Sequence, residues 1–400
     1  MAETMKAVRL YADWEPRKGF KLGPKDVDRK QSYLGSRVWR NPRLVVEDVP
    51  VPKPGFKEVL LEVKQCGICG SDIHMAQPDN EGYILYPGLT GFPSTLGHEL
   101  CGTVVDSGPG ALDKVTNKPF KGGEWVTTEE MIWCGSCQPC ADGWPNHCER
   151  LDEIGFNVNG AFTKYIVVPD KTLWSLDPLR EHYSDKDVWR LGSMVEPTSV
   201  AYNAVIERGG GIRPGDNVVI CGAGPVGLAA CAVLKKAGAA RVIMSEPEPA
   251  RGEVAKKLGA DYIINPTKED FVERLMELTH GMGAALYLEA TGLPTVVYPG
   301  IEQAIWQGRT LNSTVVVVAR ADAKIPVTGE VFQVRRARII GAQGHSGHGT
   351  FPRVIQSMAT GMNMLPMITK EVKLDQVPEN IVLLRTDKKE CKISCPNPGA

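Results

Sequence analysis

No stretch of this chain stays apolar for anything near the roughly 20 residues that a membrane-crossing helix needs. Neither charge sign is in excess: 46 Lys and Arg stand against 47 Asp and Glu, a net charge of −1. That removes the global electrostatic case for binding nucleic acid or an anionic membrane surface. The opening MAETMKAVRLYADWE has no apolar core of the kind a secretion signal carries, so a cytoplasmic chain is expected. No internal repeat or low-complexity tract is visible. What is present is an ordinary globular composition, 42% hydrophobic and 23% charged over 400 residues. This is enough for two or three domains with sizeable cores.

The most informative stretch is Val218–Gly227, VVICGAGPVG. An apolar run enters Gly222-x-Gly224-x-x-Gly227, and a helical pattern follows up to Gly238. In this strand–turn–helix, Gly222 makes the turn and Gly224 lets backbone approach a pyrophosphate, while Gly227 lets the helix pack on the strand. Pro225 and Val226 open the helix, whose free N–H groups and positive dipole end face that phosphate. A second apolar run, Arg241–Ser245, ends in Glu246, about 20 residues on, where a dinucleotide-binding unit expects an acid for the ribose. A carboxylate there favours NAD, because a 2′-phosphate would meet its charge.

Short strands with turn signals fill the first part of the chain: 5–10, 44–50, 58–64, 102–106 and 124–127. They predict an all-β, barrel-like domain. Residues 13–40 read as a long surface excursion. From about 198 the pattern alternates strand and helix (218–221, 226–238, 241–245, 249–258, 261–264, 269–280, 285–288, 295–306, 313–318), as in a parallel sheet with helices on both faces. A last helical stretch spans Phe351–Thr360.

Eleven cysteines are present, and four crowd together as Cys134-Gly-Ser-Cys137-Gln-Pro-Cys140 and then Cys148. Four thiolates on one lobe, about 129–150, suit a closed tetrahedral zinc site with a structural role. Disulfides are disfavoured in a reducing compartment. An iron–sulfur cluster is a rival, and His147 could replace Cys148 as a ligand. A second set has mixed ligands: Cys69 in Cys66-Gly-Ile-Cys69-Gly-Ser-Asp-Ile-His74, then Gly97-His98-Glu99 and Val195-Glu196-Pro197. Cys, His and carboxylate together are the donors of a catalytic zinc that keeps one position open. A redox pair of Cys66 and Cys69 is the alternative.

GICGSDIH (67–74), GHE (97–99), the four-cysteine lobe, VEPTSVAYNA (195–204) and GAGPVG (222–227) occur in one order. Together they resemble the zinc-dependent medium-chain alcohol and polyol dehydrogenases. The likeness covers about residues 5–10 and 44–385. Glu196, where the alcohol-dehydrogenase branch has cysteine, is similar to the sorbitol-dehydrogenase type. The resemblance implies an α/β protein: a GroES-like β-barrel catalytic domain over 1–196 and 345–400, and a doubly wound Rossmann domain over 197–344. It implies NAD and two zincs per chain. Cys69, His98 and Glu196 would surround the catalytic zinc, with Glu99 a direct or exchangeable ligand and water in the fourth place. Cys66 falls on no ligand position. Ser71 and His74 match the family's proton relay, and Asp72 matches the group that fixes the ligating histidine. Glu246 and Arg251 match adenine-ribose contacts, Thr291 lies in the turn passing the cofactor, and Gly344 and His345 match the segment closing over nicotinamide or substrate.

The implied reaction oxidises a secondary hydroxyl in a cleft between domains, with the proton leaving through Ser71 and His74 and hydride going to the nicotinamide. The excursion, residues 79–93 and residues 341–354 resemble the branch of the family that acts on cyclitols, which points to a small polyhydroxylated substrate. Glu130, Arg320, His345 and His348 are candidates to hydrogen-bond its hydroxyls. A homodimer or homotetramer is implied. A non-catalytic NAD- and zinc-binding protein is disfavoured, because Cys69, His98, Glu99, Glu196, Ser71 and His74 are all present. A metal-free reductase would not need them.

Overall fold

In a computed structural model the structure describes residues 3–321 and 323–399. The chain divides into two compact units. The first runs up to Glu196 and takes in Ile368–Lys388 and the segment from Lys392 on; the second holds Pro197–Met367 with Lys389–Cys391.

The first unit is built on a mostly antiparallel seven-stranded sheet. Its order is Leu173–Ser175, Trp125–Thr128, Glu99–Ser107, Glu58–Gly67, Lys392–Pro396 and Ile368–Glu371, with Tyr165–Pro169 also on Glu58–Gly67. Glu58–Gly67 and Glu99–Ser107 run antiparallel, with Gly67 opposite Glu99. Val8, Leu61, Leu100, Val126, Phe162 and Ile393 share one buried core.

The excursion expected over 13–40 is shorter than its sequence implies. Thr4–Trp14 and Trp39–Pro50 form one long antiparallel ribbon, paired out to Trp14 opposite Trp39. Those two tryptophans meet edge to face with ring centres 4.9 Å apart, and the apolar contact draws both ends of the excursion into the sheet. The remaining loop is bolted to residues 79–83. Arg17 pairs with Asp79 and Glu81, and its guanidinium lies over the Tyr83 ring at 3.9 Å. Residues 108–122 carry a small hairpin of Leu112–Asp113 with Lys118–Pro119. Lys114 anchors it, 3.5 Å from the Trp174 ring centre.

The second unit holds a six-stranded parallel sheet ordered Tyr262–Ile264, Arg241–Ser245, Asn217–Cys221, Leu286–Glu289, Thr314–Val317, Arg338–Gly341. By first appearance that is the order 3-2-1-4-5-6 of a doubly wound dinucleotide fold. Asn217–Cys221 is central, and four of its five residues are buried, as an apolar run covered on both faces should be. Helices Pro225–Lys236, Pro249–Lys257, Phe271–Leu278 and Pro294–Gln307 fall within a few residues of the sequence pattern.

The return to the first unit comes later than the 345 read from sequence. Helix Thr350–Ala359 groups with the second unit, and the first resumes at Ile368. Local bonds account for this. Asn203 Nδ2 donates to the carbonyls of Gln343 and Gly344, at 3.2 and 2.9 Å, and Lys236 Nζ donates to the Thr360 carbonyl at 2.8 Å. Among the described residues no helix is long and apolar enough to cross a membrane.

Candidate active site and metal centres

Cys69 caps the helix Gly70–Ala76. Asp72, at the third helical position, accepts the Cys69 backbone N–H at 2.8 Å. This reciprocal cap satisfies a helix-end donor and fixes the cysteine at the mouth of the turn. One ligand atom each from Cys69, His98 and Glu99 lies within 4.8 Å of the others. His98 is buried, with its ring 4.6 Å from Phe156. Its Nδ1 faces Asp72 Oδ1 at 3.9 Å, and neither atom has a hydrogen-bond partner. Its Nε2 faces Ser71 Oγ at 3.4 Å. The two ring nitrogens thus face different residues, Nδ1 the Asp72 carboxylate and Nε2 the Ser71 hydroxyl, the arrangement of a histidine with a carboxylate behind it. Burial alone would lower the His98 pKa, but the Cys69, Asp72 and Glu196 charges outweigh it and hold it well above 6.5.

Glu196 is buried, and a carboxylate oxygen of it lies within 4.8 Å of one from Glu130. The residue that sequence reading missed is Lys392, only 1% exposed. Its Nζ donates to both oxygens of Glu99, at 2.5 and 2.6 Å, and to the Ile68 carbonyl at 3.0 Å. Burial works against its charge, yet Glu99, Cys69 and Glu196 raise its pKa above 10.5. His74 lies on the same helix as Ser71, three positions on, so the two share a face. Protein packed round its ring, and next the Lys388 cation, hold the His74 pKa below 6.5. Cys66 is buried and its thiol is pushed well above the usual range by burial, the opposite of a reactive redox cysteine.

The other cysteine group is tighter. Sγ separations are 3.4 Å for Cys137–Cys140, 3.8 Å for Cys137–Cys148 and 4.0 Å for Cys134–Cys140. Four sulfurs at about 2.3 Å round a tetrahedral zinc would lie about 3.8 Å apart. No sulfur pair is bonded. Backbone N–H groups of Cys134 and Arg150 point at Cys148 Sγ, at 3.2 and 3.3 Å, and that of Ser136 points at Cys134 Sγ at 3.4 Å. Arg150 Nη2 also reaches Cys134 Sγ at 3.2 Å. The Ser136 N–H and then Arg150 pull the Cys134 thiol down, whereas burial and its sulfur neighbours push Cys140 up. So crowded a set stays fully ionised only around a cation. His147 is exposed on the turn Pro145–His147, and Cys148 contributes the fourth sulfur.

In the second unit Gly222 has φ +98°, and a Cβ there would come within 3.0 Å of Thr291, so the turn requires glycine. A Cβ on Gly227 would collide with the Gly222 carbonyl. Helix Pro225–Lys236 starts with Pro225 and Val226 after Gly224, with open space round Gly224. Glu246 is buried, accepting the Ala223 N–H at 2.7 Å and the Glu248 N–H at 2.8 Å. Arg251 donates to the Glu390 carbonyl at 3.1 Å, a tether absent from the sequence pattern. Thr291 is held by Glu289 Oε1 through its N–H and hydroxyl, at 2.8 and 2.6 Å. His345 is buried against Phe351, whereas Arg320 and His348 are exposed.

The chain belongs to the zinc-binding alcohol dehydrogenase family and is an oxidoreductase that uses zinc and a nicotinamide cofactor. The pattern of the alcohol dehydrogenase GroES-like domain matches residues 55–178, and that of the zinc-binding dehydrogenase domain matches 225–360. The scyllo-inosose 3-dehydrogenase of Thermotoga maritima is 61% identical over 396 residues, covering 98% of this chain and 100% of that protein. A solved Thermotoga maritima structure assigned to the alcohol dehydrogenases superposes with a TM-score of 0.96 at 60% identity, covering 98% of this chain and 100% of that one. A Sinorhizobium meliloti 1021 structure assigned as a zinc-binding dehydrogenase and bound to NADP superposes with a TM-score of 0.77 at 26% identity, covering 98% and 99%.

Proposed function

We propose that the protein oxidises a secondary hydroxyl of a cyclitol with NAD, taking scyllo-inosose to a diketo-inositol. The observation that carries this is the full-length likeness to scyllo-inosose 3-dehydrogenase. The first unit is read as the catalytic domain and the second as the nucleotide-binding domain. Cys69, His98 and Glu196 would hold the catalytic zinc, with Glu99, which shares the ligand-sized cluster of Cys69 and His98, a direct or exchangeable ligand; sulfur, imidazole and carboxylate donors fit that metal. That zinc supplies Lewis acidity, which lowers the pKa of the substrate hydroxyl. Ser71 Oγ takes the proton and passes it to His74 at the exposed face of the helix. Asp72 keeps His98 turned so that Nε2 faces the site. Glu130, buried beside Glu196, is placed to accept a hydrogen bond from a neighbouring substrate hydroxyl.

Cys134, Cys137, Cys140 and Cys148 would hold the structural zinc. In the second unit the N-terminus of Pro225–Lys236 suits the pyrophosphate and Glu246 the ribose hydroxyls, which favours NAD over NADP. The nicotinamide supplies the hydride acceptor. Two further inferences go with this reading. Strand Arg338–Gly341 ends its sheet with Ile339 exposed, and such an open edge suits a homodimer or homotetramer joined through this unit. Four crowded thiols suit the reducing cytoplasm.

NADH formation across scyllo-inosose, myo-inositol, sorbitol, 2,3-butanediol and threonine tests the substrate. The reading expects scyllo-inosose to give the highest kcat/KM, and higher efficiency with sorbitol, butanediol or threonine would overturn it.

A further inference from the structure

Between helix Gly70–Ala76 and strand Ser94–Thr95 the chain has no helix or strand of its own. A segment of that length takes its shape from what it is tied to. Much of the tying is done by the excursion. Ser32 and Thr90 exchange backbone hydrogen bonds, both at 3.1 Å, and the Gly35 N–H donates to the Gly88 carbonyl at 3.2 Å. At the other end Arg17 uses every nitrogen of its guanidinium. Nε donates to the Ser36 carbonyl at 3.1 Å, within the excursion, while the two terminal nitrogens pair with Asp79 and Glu81. The same group lies over the Tyr83 ring at 3.9 Å. Only a planar fork can hold two carboxylates and a ring face together.

The segment so held runs to the proposed catalytic centre. The Leu85 and Tyr86 N–H groups both donate to the His74 carbonyl, at 3.0 and 3.2 Å, on the helix that also carries Ser71. The Tyr86 ring centre lies 5.3 Å from that of Phe156, which lies 4.6 Å from that of His98. We propose that residues 15–38 are a strap, locked by Arg17, that holds residues 79–91 in one conformation as a substrate-side wall of the cyclitol site. This rests on the cyclitol reading above. Arg17 is a positioning residue that acts through the wall. A cyclitol bears oxygen on nearly every ring carbon, so its binding needs several contacts in place at once. A loosened wall would have to be ordered at each binding event, and apparent affinity falls with the fraction of molecules already competent.

The test uses the full-length protein with R17M and R17K. Steady-state kinetics with scyllo-inosose and NAD are read beside hydrogen exchange over residues 79–91. Phe20 and Leu22 still pack on the core in R17M, and the Ser32–Thr90 tie remains, so the fold should survive. Amides of residues 79–86 should exchange about tenfold faster. KM for scyllo-inosose should rise about tenfold, with kcat and KM for NAD near wild type. R17K keeps the charge and loses the fork, and should fall between the two. A role in stability alone would instead lower the active fraction, and so kcat, without moving KM. Unchanged exchange, an unchanged KM for scyllo-inosose, or an equal rise in KM for NAD would overturn the strap alone. Wild-type protein that does not oxidise scyllo-inosose would overturn the cyclitol reading and this proposal with it.

Discussion

The four-cysteine lobe should depend on its metal more than on its packing. Apart from the cysteines, its buried apolar residues are Met131 and Leu151, with Trp133 partly buried against them. Burying two such side chains contributes about 3–6 kcal/mol. A structural zinc contributes about 10–16 kcal/mol to a small domain at neutral pH. The metal is therefore the larger contribution by about twofold or more. Cys137→Ser removes the sulfur that lies 3.4 Å from Cys140 and 3.8 Å from Cys148. Zinc should fall by one equivalent per chain, and limited proteolysis should cut first between residues 131 and 151. The melting temperature should drop by roughly 20 °C or more, at about 2–4 °C per kcal/mol for a unit of this size. NAD binding to the other unit should persist. Unchanged melting, full zinc and a protease-resistant lobe would refute the reasoning.

Three further outcomes follow from the geometry. Ser71→Ala should lose most turnover while both zincs stay bound, and near-normal turnover would sink the relay. Glu246→Gln should weaken NAD binding about tenfold to a hundredfold, the worth of one charged hydrogen-bonding group, and should narrow the preference over NADP; titration with both cofactors checks it, and an unchanged preference counts against the ribose role. The third concerns pH. His74 can accept a proton only when neutral, and its pKa is held below 6.5. Neutral His74 thus persists into mild acid, and kcat/KM should fall only as pH drops through that lowered value. An acid limb centred above 6.5 that vanishes in His74→Gln would contradict it.

Local features were the legible ones. The strand Asn217–Cys221, its glycine turn and Glu246 were readable because an apolar run, a tight turn and an acid at fixed spacing leave their own marks. The clustered cysteines are equally local. Lys392 was not legible. It lies 293 residues from Glu99, and only the register of a C-terminal strand brings it there. Nothing in its neighbours distinguishes it from a surface lysine. The late return at Ile368 had the same origin, since Asn203 and Lys236 capture the 343–360 segment through backbone carbonyls that no side-chain pattern announces. Residues 13–40 misled because the Trp14–Trp39 contact that ends the ribbon joins distant positions.

The measurement that bears most directly on the central claim is zinc content alongside scyllo-inosose-dependent NADH formation, before and after graded chelation. The account predicts two zincs per chain, with activity lost in step with the zinc held by Cys69, His98 and Glu196 and restored by adding zinc back. One zinc per chain with full activity, or activity that survives loss of both, would contradict it.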